Sequence, residues 1–431
     1  MEIAAVQRRT LRLLFVTQII SGIGVAIGAS VGALLAADIA GVAVSGVAQS
    51  ANVVGAALFA LPATAIVHRH GRRPSLAAGY LVAAVGAIII VTAAVRSSIP
   101  LLFVGFFLFG GATAASFQAR YAAVDLAPAA LRGRHLSLIV WATTLGAVVG
   151  PSLAAVAGAS LAGYGIPTLA GPFFFSALLF GLATVLLMML LRPDPAVIAR
   201  GALGNPGALT PDARQAGMRA ALRAVASQAS ARLGVSAMAV GHLVMVGVMA
   251  MTPVHIRGAG HDAAHTLRIV GVVLSFHVAG MFAFAPVFGW LTDRLGRRPV
   301  VFAGIVLLLG ACALAGTAGH HPAQLAGGLM MLGLGWSATM VAGSTLLSES
   351  VPVELRASAQ GLSDLVMGLA GASAGAVSGL IVHAWGYPTL TLLAALATAP
   401  LILLVSFATN RSDDRADPGE SATPLADAPR P

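Results

Sequence analysis

Residues 293–299 read DRLGRRP, and residues 68–74 read HRHGRRP. Each stretch is short, rich in arginine and placed between two long apolar segments. The shared glycines, Gly71 and Gly296, stand 225 positions apart. A turn followed by two arginines and a proline therefore occurs twice, once in each half of the chain.

A second motif repeats with nearly the same spacing. Residues 125–132 read DLAPAALR and residues 349–356 read ESVPVELR, and their final arginines stand 224 positions apart. Two different motifs that recur at one offset are hard to explain by chance. The sequence therefore predicts that a single structural unit has been duplicated.

Twelve long apolar runs surround these motifs. A helix needs about 20 mostly apolar residues to cross a bilayer, and helices satisfy their own backbone hydrogen bonds in lipid. We therefore predict an all-α integral membrane protein with twelve transmembrane helices, six in each half. The runs are 12–37, 45–67, 74–95, 99–121, 136–162, 168–191, 232–252, 268–291, 299–318, 323–347, 358–383 and 388–408.

The composition supports the membrane class and argues against nucleic acid as a partner. The chain is 58% hydrophobic and only 9% charged, whereas soluble domains carry about 25% charged residues. Its formal charge is +10, but a nucleic-acid binder concentrates its basic residues on one solvated face. Here the arginines form short clusters between apolar runs, so the expected partner is the lipid bilayer.

The arginines also predict the orientation of the chain. With a cytoplasmic N-terminus, 22 of the 25 arginines fall on the inner side, and only Arg96, Arg257 and Arg268 fall on the outer side. Cytoplasmic loops of membrane proteins carry an excess of basic residues. We therefore expect a multi-pass protein of the plasma (inner) membrane with both termini in the cytoplasm.

The apolar runs divide the chain into four parts. Residues 212–225 of the linker carry arginine and apolar residues at helical spacing, which is typical of an amphipathic helix at the membrane surface; a flexible linker is the alternative. The C-terminal tail has the composition of a disordered segment, and a monomer is expected. The predicted parts are an N-terminal half (1–191), a linker (192–231), a C-terminal half (232–409) and a tail (410–431).

The motif around Gly296 carries a family resemblance. Residues 289–298, GWLTDRLGRR, resemble the signature loop of the major facilitator superfamily, and the resemblance extends over nearly the whole chain. It implies two pseudo-symmetric six-helix halves that rock around a central substrate site. The N-terminal copy departs from the pattern, because Thr64 replaces its glycine and His68 replaces its aspartate.

The resemblance implies a network of charges on the inner face, formed in one access state and broken in the other. Exposed ion pairs can be exchanged at modest cost. The alternative is an ordinary positively charged loop without a gating role. The candidate gating residues are Asp293, Arg294, Gly296, Arg297, Arg298, Arg69, Gly71, Arg72, Asp125, Arg132, Glu349 and Arg356.

Runs seven and eight carry candidate ligands for a soft metal ion. His242, Met245 and Met249 fall on one helical face, as do His277 and Met281. Imidazole and thioether groups suit Cu(I). The two pairs MxxxM and HxxxM are similar to those of a bacterial copper-importer branch of the superfamily, which implies a copper path. The alternative is packing, because methionine commonly fills gaps between apolar helices.

The charged residues inside the apolar runs bear on coupling. Asp364 is the most interior carboxylate and is the candidate to carry a proton or to pair with an arginine at the inner rim. Asp38 is expected to end its helix in water. No P-loop occurs, since the chain has no lysine, and no cluster of acid, base and nucleophile suggests an enzyme.

The expected function is secondary active transport without a cofactor. One hypothesis is import of copper, and the alternative is proton-coupled efflux of apolar small molecules or drugs. The substrate is therefore a small molecule or a metal ion.

Overall fold

The computed structural model describes residues 3–128, 131–203, 211–352 and 355–405, and the regular elements of these ranges are helical. The tail predicted for 410–431 lies outside the described residues. The α-helices are α1 (Ile3–Ala40), α2 (Val42–His70), α3 (Arg72–Arg96), α4 (Ile99–Phe109), α5 (Gly111–Ala122), α6 (Arg132–Leu161), α7 (Gly171–Leu190), α8 (Pro195–Leu203), α9 (Pro211–Ser227), α10 (Ala229–Arg257), α11 (Ala263–Phe282), α12 (Ala285–Leu295), α13 (Arg297–Gly316), α14 (Pro322–Ser350) and α15 (Arg356–Leu396).

Twelve spans result from these helices. Eleven helical segments of the described chain are long and apolar enough to cross a membrane. The last segment, Ser358–Val405, has 48 residues and as one helix would be about 70 Å long, more than twice the hydrocarbon thickness. Gly386 interrupts it with φ 82° and ψ 170°, so it contains two spans. The predicted twelve-helix fold is confirmed.

The two halves repeat the same helix crossings. In the N-terminal half Gly146 of α6 packs on α1, and a Cβ there would lie 2.6 Å from the Ile19 carbonyl oxygen. In the C-terminal half Gly371 of α15 packs on α10, and a Cβ there would lie 2.6 Å from His242 Cδ2. The two glycines are 225 positions apart, so the duplicated motifs belong to duplicated packing.

The halves meet along two seams that obey the same offset. In one seam Gly46 of α2 packs against the Gly375 carbonyl of α15. In the other, Gly271 of α11 packs against α6, where a Cβ would lie 2.7 Å from the Pro151 carbonyl oxygen. Small residues let membrane helices approach to backbone contact, and this fixes how the halves sit together.

Tight glycine turns define the two ends of the bundle. We call the end that carries Gly71 and Gly296 the arginine-rich face, and the end that carries Gly41 and Gly386 the arginine-poor face. All four glycines have φ between 82° and 98° with extended ψ, a region that is essentially restricted to glycine. Each turn reverses the chain between two helices with almost no loop.

The linker contains helices. The described part of residues 211–227 forms α9, in agreement with the amphipathic helix predicted for 212–225. Ala221 and Val225 of α9 are buried against Leu347 and Ala359 of the C-terminal half, while Leu222 is exposed. Residues 204–210, between α8 and α9, lie outside the described part of the chain.

Candidate functional site

An arginine–carboxylate pair holds the arginine-rich face of the N-terminal half. We call it the N-terminal clamp. Arg72 Nε lies 2.8 Å from Asp125 Oδ2, and Nη2 lies 3.0 Å from Oδ1. The third nitrogen, Nη1, donates to Gln118 Oε1 at 2.8 Å. Both charged side chains are mostly buried, with 13% and 14% of their area exposed. Each of the three guanidinium nitrogens of Arg72 donates a hydrogen bond.

The equivalent pair in the C-terminal half is Arg297 with Glu349, which we call the C-terminal clamp. Nε lies 2.9 Å from Oε2 and Nη2 lies 2.5 Å from Oε1. Within the described structure, Nη1 donates to the Thr292 carbonyl, at 3.4 Å. The side chains are 30% and 49% exposed. The second motif of each half therefore supplies the carboxylate for the arginine of the first.

Asp194, at the start of the linker, adds a contact that the sequence reasoning missed. Its carboxylate accepts the backbone N–H groups of Arg72 (3.1 Å) and Arg73 (2.7 Å) at the start of α3. It also accepts the N–H of Ala196 in α8. Gly71 leaves room for it, since a Cβ there would lie 2.6 Å from Asp194 Cγ. The only signal in the sequence was an Asp–Pro pair directly after span six.

The other candidate gating residues occupy less constrained positions. Arg69 and Asp293 are exposed. Asp293 influences Arg297 through space but forms no ion pair among the described residues, so the carboxylate bound to the loop arginine is Glu349. Arg294 lies over the Trp290 ring, 5.2 Å from its centroid. Side chains outside the described part are those of His68, Arg132 and Arg356.

On the arginine-poor face, an ion pair connects the two halves. Asp38 of α1 pairs with Arg257 of α10. Asp38 lies at the partly exposed end of its helix, as expected, and it also has a charged partner there that the sequence did not indicate. The cause is tertiary: the last turns of α1 and α10 lie side by side in the bundle, which local sequence does not reveal.

Two further contacts, made by three serines, also join the halves. Ser45 Oγ of α2 donates to Met251 Sδ of α10 at 3.7 Å. Ser152 Oγ of α6 lies 2.9 Å from Ser275 Oγ of α11. Three separate contacts thus join opposite halves between this face and the middle of the bundle.

Toward the arginine-rich face, two opposite charges of different halves lie within electrostatic range of each other without pairing. Arg120 of α5 and Asp364 of α15 belong to different halves, and each acts on the charge of the other. They form no ion pair among the described residues. Arg120 instead lies over Phe117, 5.0 Å from the ring centroid, and its Nε is buried without a hydrogen-bond partner in the described structure. Asp364 is exposed.

The two candidate histidine ligands are held apart. His277 is fully buried, and its Nδ1 lies 2.8 Å from the Leu329 carbonyl oxygen. His242 Nδ1 accepts the Trp336 indole N–H at 3.1 Å. Leu329 and Trp336 are seven residues apart on α14, which corresponds to about 10 Å. The faces of runs seven and eight therefore do not bring these imidazoles to one point.

The methionines of the same helices pack in the main core. Met245 is buried, and Met249 and Met281 are partly buried against the same cluster of apolar side chains. No group of three or more His, Cys, Asp or Glu residues is placed to hold a metal ion in the described part of the chain.

One nitrogen in this region nevertheless lacks a partner. Because a carbonyl oxygen only accepts hydrogen bonds, His277 Nδ1 carries the ring hydrogen and Nε2 presents a lone pair. This Nε2 is buried without a hydrogen-bond partner in the described structure. Asn52, 225 positions earlier on α2, has a buried Oδ1 in the same situation. Each half thus carries, among the described residues, a buried acceptor without a partner at this equivalent position.

Span seven and span one differ in what surrounds their central polar residue. Gln18 of α1 accepts from the Tyr80 hydroxyl at 2.6 Å and donates to Thr143 at 3.1 Å. His242, 224 positions later, lies beside Trp336, whose ring is also 5.8 Å from Phe282. In the N-terminal half the polar residue Gln18 is held by hydrogen bonds, while in the C-terminal half the equivalent His242 lies among aromatic rings.

Comparison with known proteins finds a matching family model and relatives similar over nearly the full length. A family model described as Major Facilitator Superfamily matches residues 13–273 and 258–429. The chain is 38% identical over 409 residues to the uncharacterized MFS-type transporter YdeG of Bacillus subtilis (strain 168), covering 94% of this chain and 93% of that protein. It is 27% identical to the riboflavin transporter RfnT of Brucella anthropi, covering 93% and 96%.

The fold is also similar to that of a solved structure. A bacterial homologue of the human lysosomal transporter Spinster, in an inward-facing and unoccupied conformation, superposes with a TM-score of 0.65. The identity is 15%, and the match covers 95% of this chain and 96% of that one.

Proposed function

The chain belongs to the major facilitator superfamily, and from this premise we propose that it is a secondary active transporter that carries a small organic solute by alternating access. In transporters built from two repeats, substrates bind near the midplane between the halves, which rock to open one side at a time. The proposal is supported by a difference between the two faces in how the halves contact each other.

The orientation follows from the positive-inside rule. With the arginine-rich face in the cytoplasm, both clamps and both chain ends are cytoplasmic, and the membrane is the plasma (inner) membrane. Reporter fusions to the two ends test this orientation. Reporters on opposite sides of the membrane would contradict it.

The single observation that carries the mechanism is the contrast between Asp38–Arg257 and Arg120–Asp364. The first pair joins the halves at the arginine-poor face, while the members of the second pair act on each other's charge without forming an ion pair among the described residues. An inward-open state has this pattern. In the outward-open state the first pair separates and the second forms, at modest cost because the groups are partly exposed.

A disulfide across the closed seam tests this mechanism. Cys312 is the only cysteine, so Cys312→Ser gives a cysteine-free background. In it, Ser152→Cys with Ser275→Cys replaces two hydroxyls that are 2.9 Å apart on opposite halves. Oxidation should stop transport in proteoliposomes, and reduction should restore it.

A matched control lies within one half. Thr317→Cys with Gln324→Cys replaces two hydrogen-bonded side chains of the C-terminal half, and its oxidation should leave transport unchanged. Full transport with the Ser152–Ser275 crosslink formed would overturn alternating access around this seam.

The inner pair has its own test. Arg120→Asp and Asp364→Arg should each reduce transport, because each places like charges together at the closing seam, and the double variant should recover part of it. Protonation of Asp364 would remove its attraction to Arg120, so Asp364 is also our candidate for proton coupling. Asp364→Asn should then abolish accumulation against a gradient while exchange persists.

The substrate class rests on the aromatic group formed by His242, Phe282 and Trp336. Rings at a junction of three helices favour a solute that carries an aromatic or apolar ring. The full-length similarity to a riboflavin transporter supports an organic substrate. Trp336→Ala should weaken transport of such solutes, whereas Trp385→Ala, which removes a highly exposed ring, should not.

A cell-based assay decides the direction of transport. Uptake and efflux of a panel of aromatic solutes are measured in cells with and without the gene, so proton-coupled export of apolar small molecules is one possible result. A deletion strain with unchanged uptake and unchanged drug sensitivity would count against an organic substrate.

Copper(I) is the second candidate substrate, favoured by one observation. The unpartnered lone pair of His277 Nε2 is suited to a soft cation, and Met281 follows one turn later. His277→Ala should lower copper accumulation, whereas His242→Ala should not, because Trp336 already occupies the His242 acceptor. Normal cellular copper in the His277→Ala strain would remove this candidate.

A further inference from the structure

A groove runs along the lipid-facing side of the C-terminal half, between α11 and α14. It has a volume of about 570 Å³ and an apolar lining. Val272 and Phe276 line it from α11, and Ala326, Gly327 and Met330 line it from α14. The groove begins at the arginine-poor face and runs toward the middle of the membrane.

Helix packing explains where the groove ends. Near the midplane the two helices are in backbone contact, since a Cβ on Gly333 would lie 2.8 Å from the Met281 nitrogen. Closer to the arginine-poor face α14 carries small residues. A Cβ on Gly327 would meet nothing nearer than Leu314 Cδ2, at 3.5 Å. The groove is therefore closed at its deep end and open toward the membrane surface.

The walls are exposed to the surroundings of the protein. Val272 is 47% exposed and Phe276 is 48% exposed. On a membrane-spanning helix such apolar surface contacts lipid chains rather than water. From Arg268 to Phe276 the groove follows about 12 Å of helix, enough for a large part of one acyl chain.

A single cation lies at the mouth. Arg268 is exposed and lines the groove, on the face where arginine is rare. Arg257 on the same face is paired with Asp38, but Arg268 forms no ion pair among the described residues. Asp262 is engaged elsewhere, because the His265 backbone N–H donates to it at 2.8 Å and lowers the pKa of its carboxyl.

We propose that this groove binds one anionic phospholipid from the leaflet at the arginine-poor face. The phosphate lies on Arg268 and one acyl chain lies along Val272, Phe276 and Gly327. Charge complementarity selects the headgroup, and the apolar lining takes the chain. This assignment is independent of the transported substrate.

The experiment uses the full chain purified in detergent and titrated with phosphatidylglycerol or phosphatidylcholine, with bound lipid counted by native mass spectrometry. A basic residue near an anionic headgroup contributes about a five-fold gain in affinity. Arg268→Gln should therefore weaken phosphatidylglycerol binding about five-fold and leave phosphatidylcholine unchanged. Gly327→Leu should reduce the binding of both lipids by filling the groove while Arg268 stays in place.

The matched control is Arg96→Gln. Arg96 is another exposed arginine of the same face but does not line the groove, and its loss should not alter lipid binding. Equal weakening in both arginine variants would overturn the site in favour of diffuse attraction, and so would unchanged binding in Gly327→Leu. A dimer that excludes lipid from the groove would overturn it in favour of a second copy of the chain. Labelling of buried Cys312 on heating verifies that each variant is folded.

Discussion

The N-terminal clamp and the C-terminal clamp each pair an arginine with a carboxylate at equivalent positions of the two repeats. Their surroundings differ. Arg72 is mostly buried, with Gln118 as an added partner and Asp194 on the neighbouring backbone. Arg297 is more exposed, and its hydrogen bonds within the described structure are those to Glu349 and a long one to the Thr292 carbonyl. Duplication has preserved the pair and changed what encloses it.

The difference suggests a division of labour. A buried ion pair is costly to break once its partners are fixed, whereas an exposed pair contributes little and is easily exchanged. We therefore expect the N-terminal clamp to act as a fixed anchor and the C-terminal clamp to be the one that opens during transport. Four substitutions separate these roles.

The largest effect is expected for Asp125→Asn. It leaves the mostly buried Arg72 without its counter-charge, which costs roughly 3 kcal/mol. The apparent unfolding temperature, followed by thiol labelling of Cys312 on heating, should fall clearly. A variant as stable as the parent chain would contradict the anchor role of this clamp.

A smaller loss is expected for Gly71→Ala. Alanine at φ 98° is strained by about 1–3 kcal/mol, and its Cβ would also collide with the Asp194 carboxylate. Gly296→Ala is the paired control, because it has the same strain but its nearest neighbour, Pro299 Cδ, is 3.9 Å away. Heating followed by size-exclusion chromatography should rank Gly71→Ala as the less stable. The reverse order would show that Asp194 does not confine Gly71.

Asp194→Ala should come next. It removes the side chain that caps α3, and a lost cap costs about 1 kcal/mol. The described part of the C-terminal half has no counterpart of Asp194. Its loss should therefore make the N-terminal clamp easier to open, as we expect the C-terminal clamp to be. Hydrogen exchange at the start of α3 should rise while exchange at the start of α13 is unchanged. Equal changes in both helices would point to general unfolding instead.

The smallest stability effect is expected for Glu349→Gln, because the C-terminal clamp is solvent-exposed. Its unfolding temperature should match that of the parent chain. Its transport rate should still change, since the variant alters a contact that we expect to break and reform. A stability loss as large as that of Asp125→Asn would erase the proposed difference between the clamps.

Much of the fold was predictable because lipid restricts the choices. Apolar length predicts the spans, and the offset between Gly71 and Gly296 predicts the duplication. The same offset also relates Gly146 to Gly371 and Asn52 to His277. Those pairs went unnoticed because neither glycine spacing nor a lone asparagine indicates function until the helix contacts are known.

The site was less predictable for a physical reason. Which charges meet depends on contacts between helices far apart in sequence, such as Asp38 with Arg257 or Asp194 with α3. The resemblance pointed to Asp293, while the carboxylate that binds Arg297 is Glu349. His242 and His277 share a chemical type, but contacts with α14 keep them apart, and helical spacing within one run does not report that.

The glycine break at residue 386 also has a consequence for biosynthesis. Because almost no polar loop separates them, spans eleven and twelve leave the ribosome as one continuous apolar segment. They are expected to enter the bilayer together as a helical hairpin. A topology reporter fused just after Gly386 would then be attached to half of that hairpin. Its position would describe an unfinished insertion, so mapping this end of the protein calls for fusions placed beyond the last span.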